Sequence, residues 1–172
     1  MKIPSSIVSL LNTQIHAEFE SAFLYLSMSA FMHEKGYNGF ACWLKIQAEE
    51  EKKHAMKIFD YMIERNETPV LQSFSSPLSD WTSVACVWEA VYAHECLITT
   101  MIYGIYDKAL SEKDFGSVHL MNWFIGEQIE EEERAFDLLS RIKVAKEDAF
   151  YLHQIDMFCA TRRYDAVSCS SS

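Results

Sequence analysis

Glu51 and His54 stand three residues apart in the run Ala48-Glu49-Glu50-Glu51-Lys52-Lys53-His54-Ala55. The surrounding segment has helical apolar periodicity, and residues three apart share one face of an α-helix. A carboxylate and an imidazole would therefore project toward one point, where together they can ligate a transition metal. The spacing alone is a weak signal, because short Glu/His spacings are common on solvated helices. What the other elements bring to the same level decides its meaning.

The chain has 172 residues, enough for one domain with a sizeable core and short for two. Hydrophobic content of 49% and aromatic content of 13% exclude a disordered chain. Net charge is −10, from 25 acidic and 15 basic side chains. That balance argues against nucleic acid and anionic membrane surfaces and favours cations as partners, although a soluble acidic surface accounts for much of it. The five cysteines, Cys42, Cys86, Cys96, Cys159 and Cys169, are odd in number and form no Cys-x-x-Cys. The simplest reading is a reduced, intracellular protein. Met1-Lys2-Ile3-Pro4 leads into no apolar signal core, and no uncharged run is long enough to span a bilayer. A cytoplasmic location is the expectation.

Only five Gly and three Pro leave few places to stop a helix. The pattern predicts a first helix over about residues 5–35, capped by Ser5 or Ser6 and stopped at Gly36. Its stripe reads Ile7, Leu11, Ile15, then Glu18, then Ala22 and Tyr25. The short link Gly36-Tyr37-Asn38-Gly39 turns a second helix back antiparallel, with Asn38 as cap and an end near Arg65. Its stripe is Phe40, Leu44, Gln47, Glu51, His54, Ile58, Met62.

Residues 66–82 read as loop, unusually long for a compact domain. Helices of about 30 residues are roughly 45 Å long, and about 17 extended residues reach roughly 55 Å. The loop can therefore cross the whole bundle and set the third helix parallel to the second. That third helix, about 83–111, is apolar almost all round, so burial on several sides is expected. Glu95 interrupts its line between Val91 and Ile98. The fourth, about 114–144, carries Met121, Phe124, Gln128, Glu131, Ala135, Leu138, Ile142, with Glu127 and Glu130 offset on the same side. A short fifth helix over about 148–161 offers Phe150, Ile155 and Phe158 as anchors. Residues 1–164 thus form one all-α four-helix bundle with a short C-terminal helix, and 165–172 form a tail expected to be disordered.

Each of the four long helices places a polar group at the middle of an apolar stripe: Glu18, Glu51 with His54, Glu95, and Gln128 with Glu131. Mid-helix positions of an antiparallel bundle meet at one level. A buried carboxylate costs several kcal/mol unless paired or metal-bound, and no Lys or Arg lies on these stripes. Two divalent or trivalent cations would neutralise the cluster. Carboxylate-rich ligation with one imidazole suits iron or manganese better than a closed zinc site. Tyr25, two turns from Glu18 on the same face, is equally compatible with core packing and with a hydrogen bond to a ligand. His16, His33, His94, His119 and His153 have no matching partner spacing and read as ordinary.

The segments Glu18-Phe19-Glu20-Ser21-Ala22-Phe23-Leu24-Tyr25-Leu26-Ser27-Met28-Ser29, Glu50-Glu51-Lys52-Lys53-His54-Ala55, Tyr92-Ala93-His94-Glu95 and Asn122-Trp123-Phe124-Ile125-Gly126-Glu127-Gln128 resemble the non-haem ferritin family. The resemblance runs from about residue 5 to 160. It implies a ferritin-like bundle whose ferroxidase centre oxidises Fe(II) with O₂ or H₂O₂. By matching position, Glu18, Glu51 and His54 would hold one iron and Glu51 would bridge to a second. Glu95 would bind that second iron, with Gln128 beside it and Glu131 as a further ligand. Glu50, Glu127, Glu130 and Glu131 match a third, inner iron site of bacterial-type members, and Tyr25 matches the family's tyrosine near the centre. The resemblance also implies a closed, hollow homo-oligomer of about 24 copies storing ferric mineral.

Departures from related patterns narrow this. Bacterioferritins carry a second Glu-x-x-His on the fourth helix, where this chain has Glu131-Glu132-Glu133-Arg134, and their haem-binding Met falls at Lys52. Haem is not expected. Acidic channel residues of animal heavy chains are replaced by Val118 and Met121, and mineral-nucleating acids by Lys53 and Met56. Two other readings compete. One is a di-iron oxidase or peroxidase of the rubrerythrin kind, against which the missing second Glu-x-x-His and Cys-x-x-Cys pairs weigh. The other is a metal-free helical scaffold, against which the uncompensated charge of Glu18, Glu51 and Glu95 weighs.

Overall fold

The computed structural model describes residues 2–163. Among them are five helices: α1 (Ser5–Glu34), α2 (Asn38–Glu64), α3 (Val84–Ser111), α4 (Phe115–Ala145) and α5 (Ala149–Cys159). The expected tail, 165–172, lies outside the described residues. No helix among the described residues is long and apolar enough to cross a membrane.

Helix ends depart in detail from the expected caps. Neither Ser5 nor Ser6 caps α1; instead the Pro4 carbonyl accepts from the Ile7 and Val8 amides at 2.9 and 3.0 Å. Proline's fixed φ already suits the entry to a helix, so the serine hydroxyls are not needed. Asn38 lies inside α2, and its side chain pairs with His33 Nδ1 at 2.8 Å across the turn. Gly36 does hold the left-handed conformation, φ 84°, that ends α1. Ser83 caps α3 by accepting from the Cys86 amide at 3.1 Å. Asp148 caps α5 by accepting from the Phe150 and Tyr151 amides.

α1 packs against α2, α3 against α4, and α1 against α3. The crossover climbs along α1. The Val70 amide donates to Asn12 Oδ1 at 2.8 Å, Phe74 stacks on His16 and Phe23, and Ser27 Oγ donates to the Leu78 carbonyl. From Asn12 to Ser27 it thus moves in the direction of α1, opposite to α2, and delivers α3 to the far end parallel to α2. Long loops need such anchors, because each ordered residue loses roughly 1–2 kcal/mol of conformational entropy.

α5 seats on α2 and α4. Its buried positions are Leu152, Asp156 and Cys159, not the expected Phe150 and Phe158, which are 67% and 56% exposed. The i, i+4, i+7 stripe runs one face over from the aromatic one, because Asp156 is drawn inward by the Phe40 amide, which donates to its Oδ1 at 2.7 Å. Gly39 lets the two backbones meet there. A Cβ on it would lie 1.7 Å from the Asp156 carbonyl oxygen.

The apolar core is divided. One cluster holds Tyr25, Met28, Phe40, Leu44, Trp88, Val91 and Leu138. The other holds Ile7, Leu11, Ile15, Ile58, Ile98, Ile102 and Phe124. Between them lie the polar mid-helix residues. α3 is not buried all round: Leu97, Tyr103 and Leu110 face outward. Its apolar surface exceeds what one bundle can cover.

Candidate metal centre

Ile15 and Ala22 bracket Glu18 on α1, and Ala48 and Ala55 bracket Glu51 and His54 on α2. Val91 and Ile98 bracket Glu95 on α3; Phe124 and Ala135 bracket Gln128 and Glu131 on α4. All of these are buried. The helical repeat that buries the flanking hydrophobes carries the polar residues inward with them.

Ligand-type atoms of Glu18, Glu51 and His54 lie within 4.8 Å of one another, and so do those of Glu51, Glu95 and Glu131. Glu51 belongs to both groups. Among the described residues these are the two such gatherings. Gln128 adjoins the second: its Nε2 donates to Glu95 Oε2, the Glu95 carbonyl and Thr99 Oγ1, each at 3.3 Å. Tyr25 is fully buried and its hydroxyl donates to Glu95 Oε1.

The other glutamates are placed differently. Glu50 is partly buried and pairs with Arg162. Glu130 is exposed and pairs with Arg134 at 2.5 Å, and Glu127 is partly buried. No common ligand point among Glu50, Glu127, Glu130 and Glu131 is formed in the described residues.

Two unit charges 4.8 Å apart repel by about 3–4 kcal/mol even at an effective dielectric near 20. Without cations the cluster neutralises itself. Burial, reinforced by Glu51, raises Glu18 and Glu131 well above the usual carboxylate range and Glu95 to about 8. Glu51 goes the other way: burial raises it, but attraction to His54 and the donors around it outweigh burial. His54 is correspondingly pushed up to about 10 against burial, by Glu51 first. The result is one ion pair, His54 Nδ1 to Glu51 Oε2 at 3.4 Å, surrounded by carboxyls that hold their protons more tightly than usual. Several buried atoms are left without a hydrogen bond, among them Glu18 Oε2 and Glu131 Oε2. Such orphans are costly in a folded core. Each is a metal-donor atom aimed into the layer, so the chemistry of the donor set fits hard or borderline cations.

Two supporting residues escape a search for metal-ligand types. Gln14 Nε2 donates to Glu18 Oε1 at 2.9 Å. Gln47 Nε2 donates to Glu51 Oε1 at 3.0 Å and to Glu131 Oε1 at 3.1 Å. Both glutamines precede their glutamate by four residues, one helical turn, and that repeat in two helices was the available signal. Arg162, beyond α5, supplies a cation that no stripe on the four long helices contains. His94, on another face of α3, bonds Ser21 Oγ at 2.7 Å and stands edge-on to Tyr25.

Cys86, Cys96 and Cys159 are free thiols.

A ferritin-like domain family model matches residues 8–145. A probable bacterial non-heme ferritin-like protein of Haemophilus influenzae is 35% identical, over 90% of this chain and 93% of that protein. A bacterial non-heme ferritin of Staphylococcus saprophyticus is 33% identical, over 92% and 95%. The open-pore ferritin of the archaeon Archaeoglobus fulgidus superimposes with a TM-score of 0.92 at 37% identity, covering 94% of this chain and 100% of that chain. A closed form of the same ferritin, engineered by mutagenesis, also gives 0.92 at 37% identity, over 95% and 99%. Four helices with one long crossover, a polar layer centred on Glu51 and these matches agree: the chain belongs to the ferritin family.

Proposed function

We propose that the protein is an iron-storage ferroxidase that takes Fe(II) into the Glu51 layer, oxidises it there and passes Fe(III) to a mineral inside a hollow shell. The observation that carries this reading is the shared carboxylate. Glu18, Glu51 and His54 form one ligand group, Glu51, Glu95 and Glu131 the other, and Glu51 can bridge two ions. Tyr25 and Gln128 hold Glu95 in place.

Iron is the substrate. Two Fe(II) give up two electrons, which with two protons reduce O₂ to H₂O₂, or H₂O₂ to two waters. The protein's part is to bring two cations to one carboxylate; the carboxyls that bind them release their protons, which can supply the two that the reduction consumes. Product Fe(III) leaves toward the interior of a closed assembly of about 24 copies of a cytoplasmic protein. Glu50, Glu127, Glu130 and Glu131 would serve a third ion on the way only after the Arg162 contact with Glu50 opens. No ligand set for haem accompanies this reading.

Aerobic addition of Fe(II) tests it. The expected result is rapid oxidation with many iron atoms retained per chain. Retention that stops at two per chain would instead indicate a di-iron oxidase, and no uptake a metal-free scaffold. Glu51→Ala and His54→Ala are expected to slow oxidation by at least ten-fold while the assembly keeps its size. Parent-like rates in both variants would refute the site.

A further inference from the structure

Among the described residues, Arg162 brings a guanidinium to the edge of the polar layer. Its Nη2 donates to Gln47 Oε1 at 3.1 Å and also to Glu50. Its Nη1 donates to the Trp43 carbonyl at 3.4 Å, and its Cζ lies 4.2 Å from the Trp43 ring centroid. The side chain is only 15% exposed. It is presented by α5, whose seat is fixed by the Gly39–Asp156 backbone approach and the Phe40–Asp156 hydrogen bond.

The geometry has two consequences. A guanidinium has only donors, so the Gln47 carbonyl must face it and the Gln47 amide N–H groups must face away. They then point to Glu51 Oε1 and Glu131 Oε1. Arg162 therefore sets the orientation of the residue that links the bridging carboxylate to Glu131. It also puts a fixed positive charge against Glu50, the carboxylate among three oxygens, with those of the Gln47 amide and the Trp43 carbonyl, that converge on the guanidinium.

We propose that Arg162 is a tethered cation standing in for a third metal ion: its guanidinium occupies the Glu50–Gln47 side of the centre, orients Gln47, and limits each chain to two bound ions. The proposal rests on the reading of Glu18, Glu51, His54, Glu95 and Glu131 as iron ligands. A metal ion carries its charge but no donor hydrogens, so a third ion and the guanidinium exclude each other at Glu50. Arg162 is in this sense a positioning residue, acting through Gln47 and Glu50.

The test is anaerobic titration of the assembled, metal-free protein with Co(II), followed by calorimetry and by the visible absorption of bound Co(II). The parent is expected to bind two ions per chain, and Arg162→Ala and Arg162→Gln three. Arg162→Lys, which keeps the charge, should remain at two. The double variant Glu50→Gln/Arg162→Ala should return to two, because the third ion loses its carboxylate. A purely structural role for Arg162 cannot produce this pattern, since loosening α5 does not add a site. Two ions with affinities within about two-fold of the parent in both neutral variants would overturn the proposal and leave the main centre standing. Three ions in the parent, or in Arg162→Lys, would also overturn it. No Co(II) bound by the parent would sink the metal centre itself, and this proposal with it. Should Arg162→Ala fail to assemble, Arg162→Gln, which keeps most of the side-chain bulk, carries the test alone.

Discussion

Glu51 does at residue scale what a search of single motifs cannot reveal. Its pairing with His54 three residues later is common; its membership of two ligand groups at once is not. Burial, reinforced by Glu51, raises Glu18, Glu95 and Glu131, whereas at Glu51 the attraction of His54 and the donors around it outweigh burial and lower it. Cys159 provides a pH prediction away from that cluster. It is 2% exposed, and burial, helped by Asp156, pushes its thiol up to about 12, although Arg162 and Arg141 pull it down. The folded chain therefore holds this proton more tightly than the unfolded chain, whose thiol titrates near 9. The stabilisation is complete below about pH 9 and is lost as pH rises to about 12. Urea midpoints measured across that window should fall more steeply for the parent than for Cys159→Ala. Equal slopes would contradict the tight hold on this proton.

At the scale of elements, α5 is the piece with most leverage for its size. Eleven residues deliver Asp156 to the start of α2 and Arg162 to its middle. Gly39→Ala places a Cβ 1.7 Å from the Asp156 carbonyl oxygen, a backbone atom that cannot swing aside. The expected cost is about 1–3 kcal/mol, concentrated in α5. Hydrogen exchange should quicken over Ala149–Cys159 while α1 to α4 stay protected; unchanged exchange would refute the docking geometry. Gly116→Ala is the contrast, since its added Cβ meets first the movable tip of Arg65, and it should leave α5 protection untouched. The crossover is held at three places along α1, which fixes the direction of α3 and hence the level at which Glu95 enters.

The molecule as a whole shows more apolar surface than a lone bundle needs. Leu97, Tyr103 and Leu110 on α3, Phe136 and Val144 on α4, and Phe150 and Tyr151 on α5 are all exposed, Val144 by 81%. Faces of this kind are ordinarily covered by other copies. Light scattering coupled to size exclusion should give a mass many times that of one chain. A stable species of single-chain mass would remove the shell from the proposed function, leaving oxidation without storage.

Much of the bundle was legible because helical periodicity is local. The stripes from Ile7 to Tyr25, Phe40 to Met62, Trp88 to Ile105 and Met121 to Ile142 each state which face is buried, and the polar interruptions at Glu18, Glu51, His54, Glu95, Gln128 and Glu131 share those faces. A periodic pattern needs only its own helix to be read, and mid-helix positions of paired helices must meet. The buried face of α5 depended on partners distant in the chain, the Phe40 amide above all. So did the link from Arg162 through Gln47 to Glu131, whose two steps join residues 115 and 84 positions apart. The sequence determined that a carboxylate layer with one imidazole forms in a four-helix core. The family resemblance had already pointed to Glu51 as the shared carboxylate; tertiary structure alone decided which carboxylate is held by an arginine, because hydrogen bonds and charges act over a few ångströms of space and carry no memory of sequence separation.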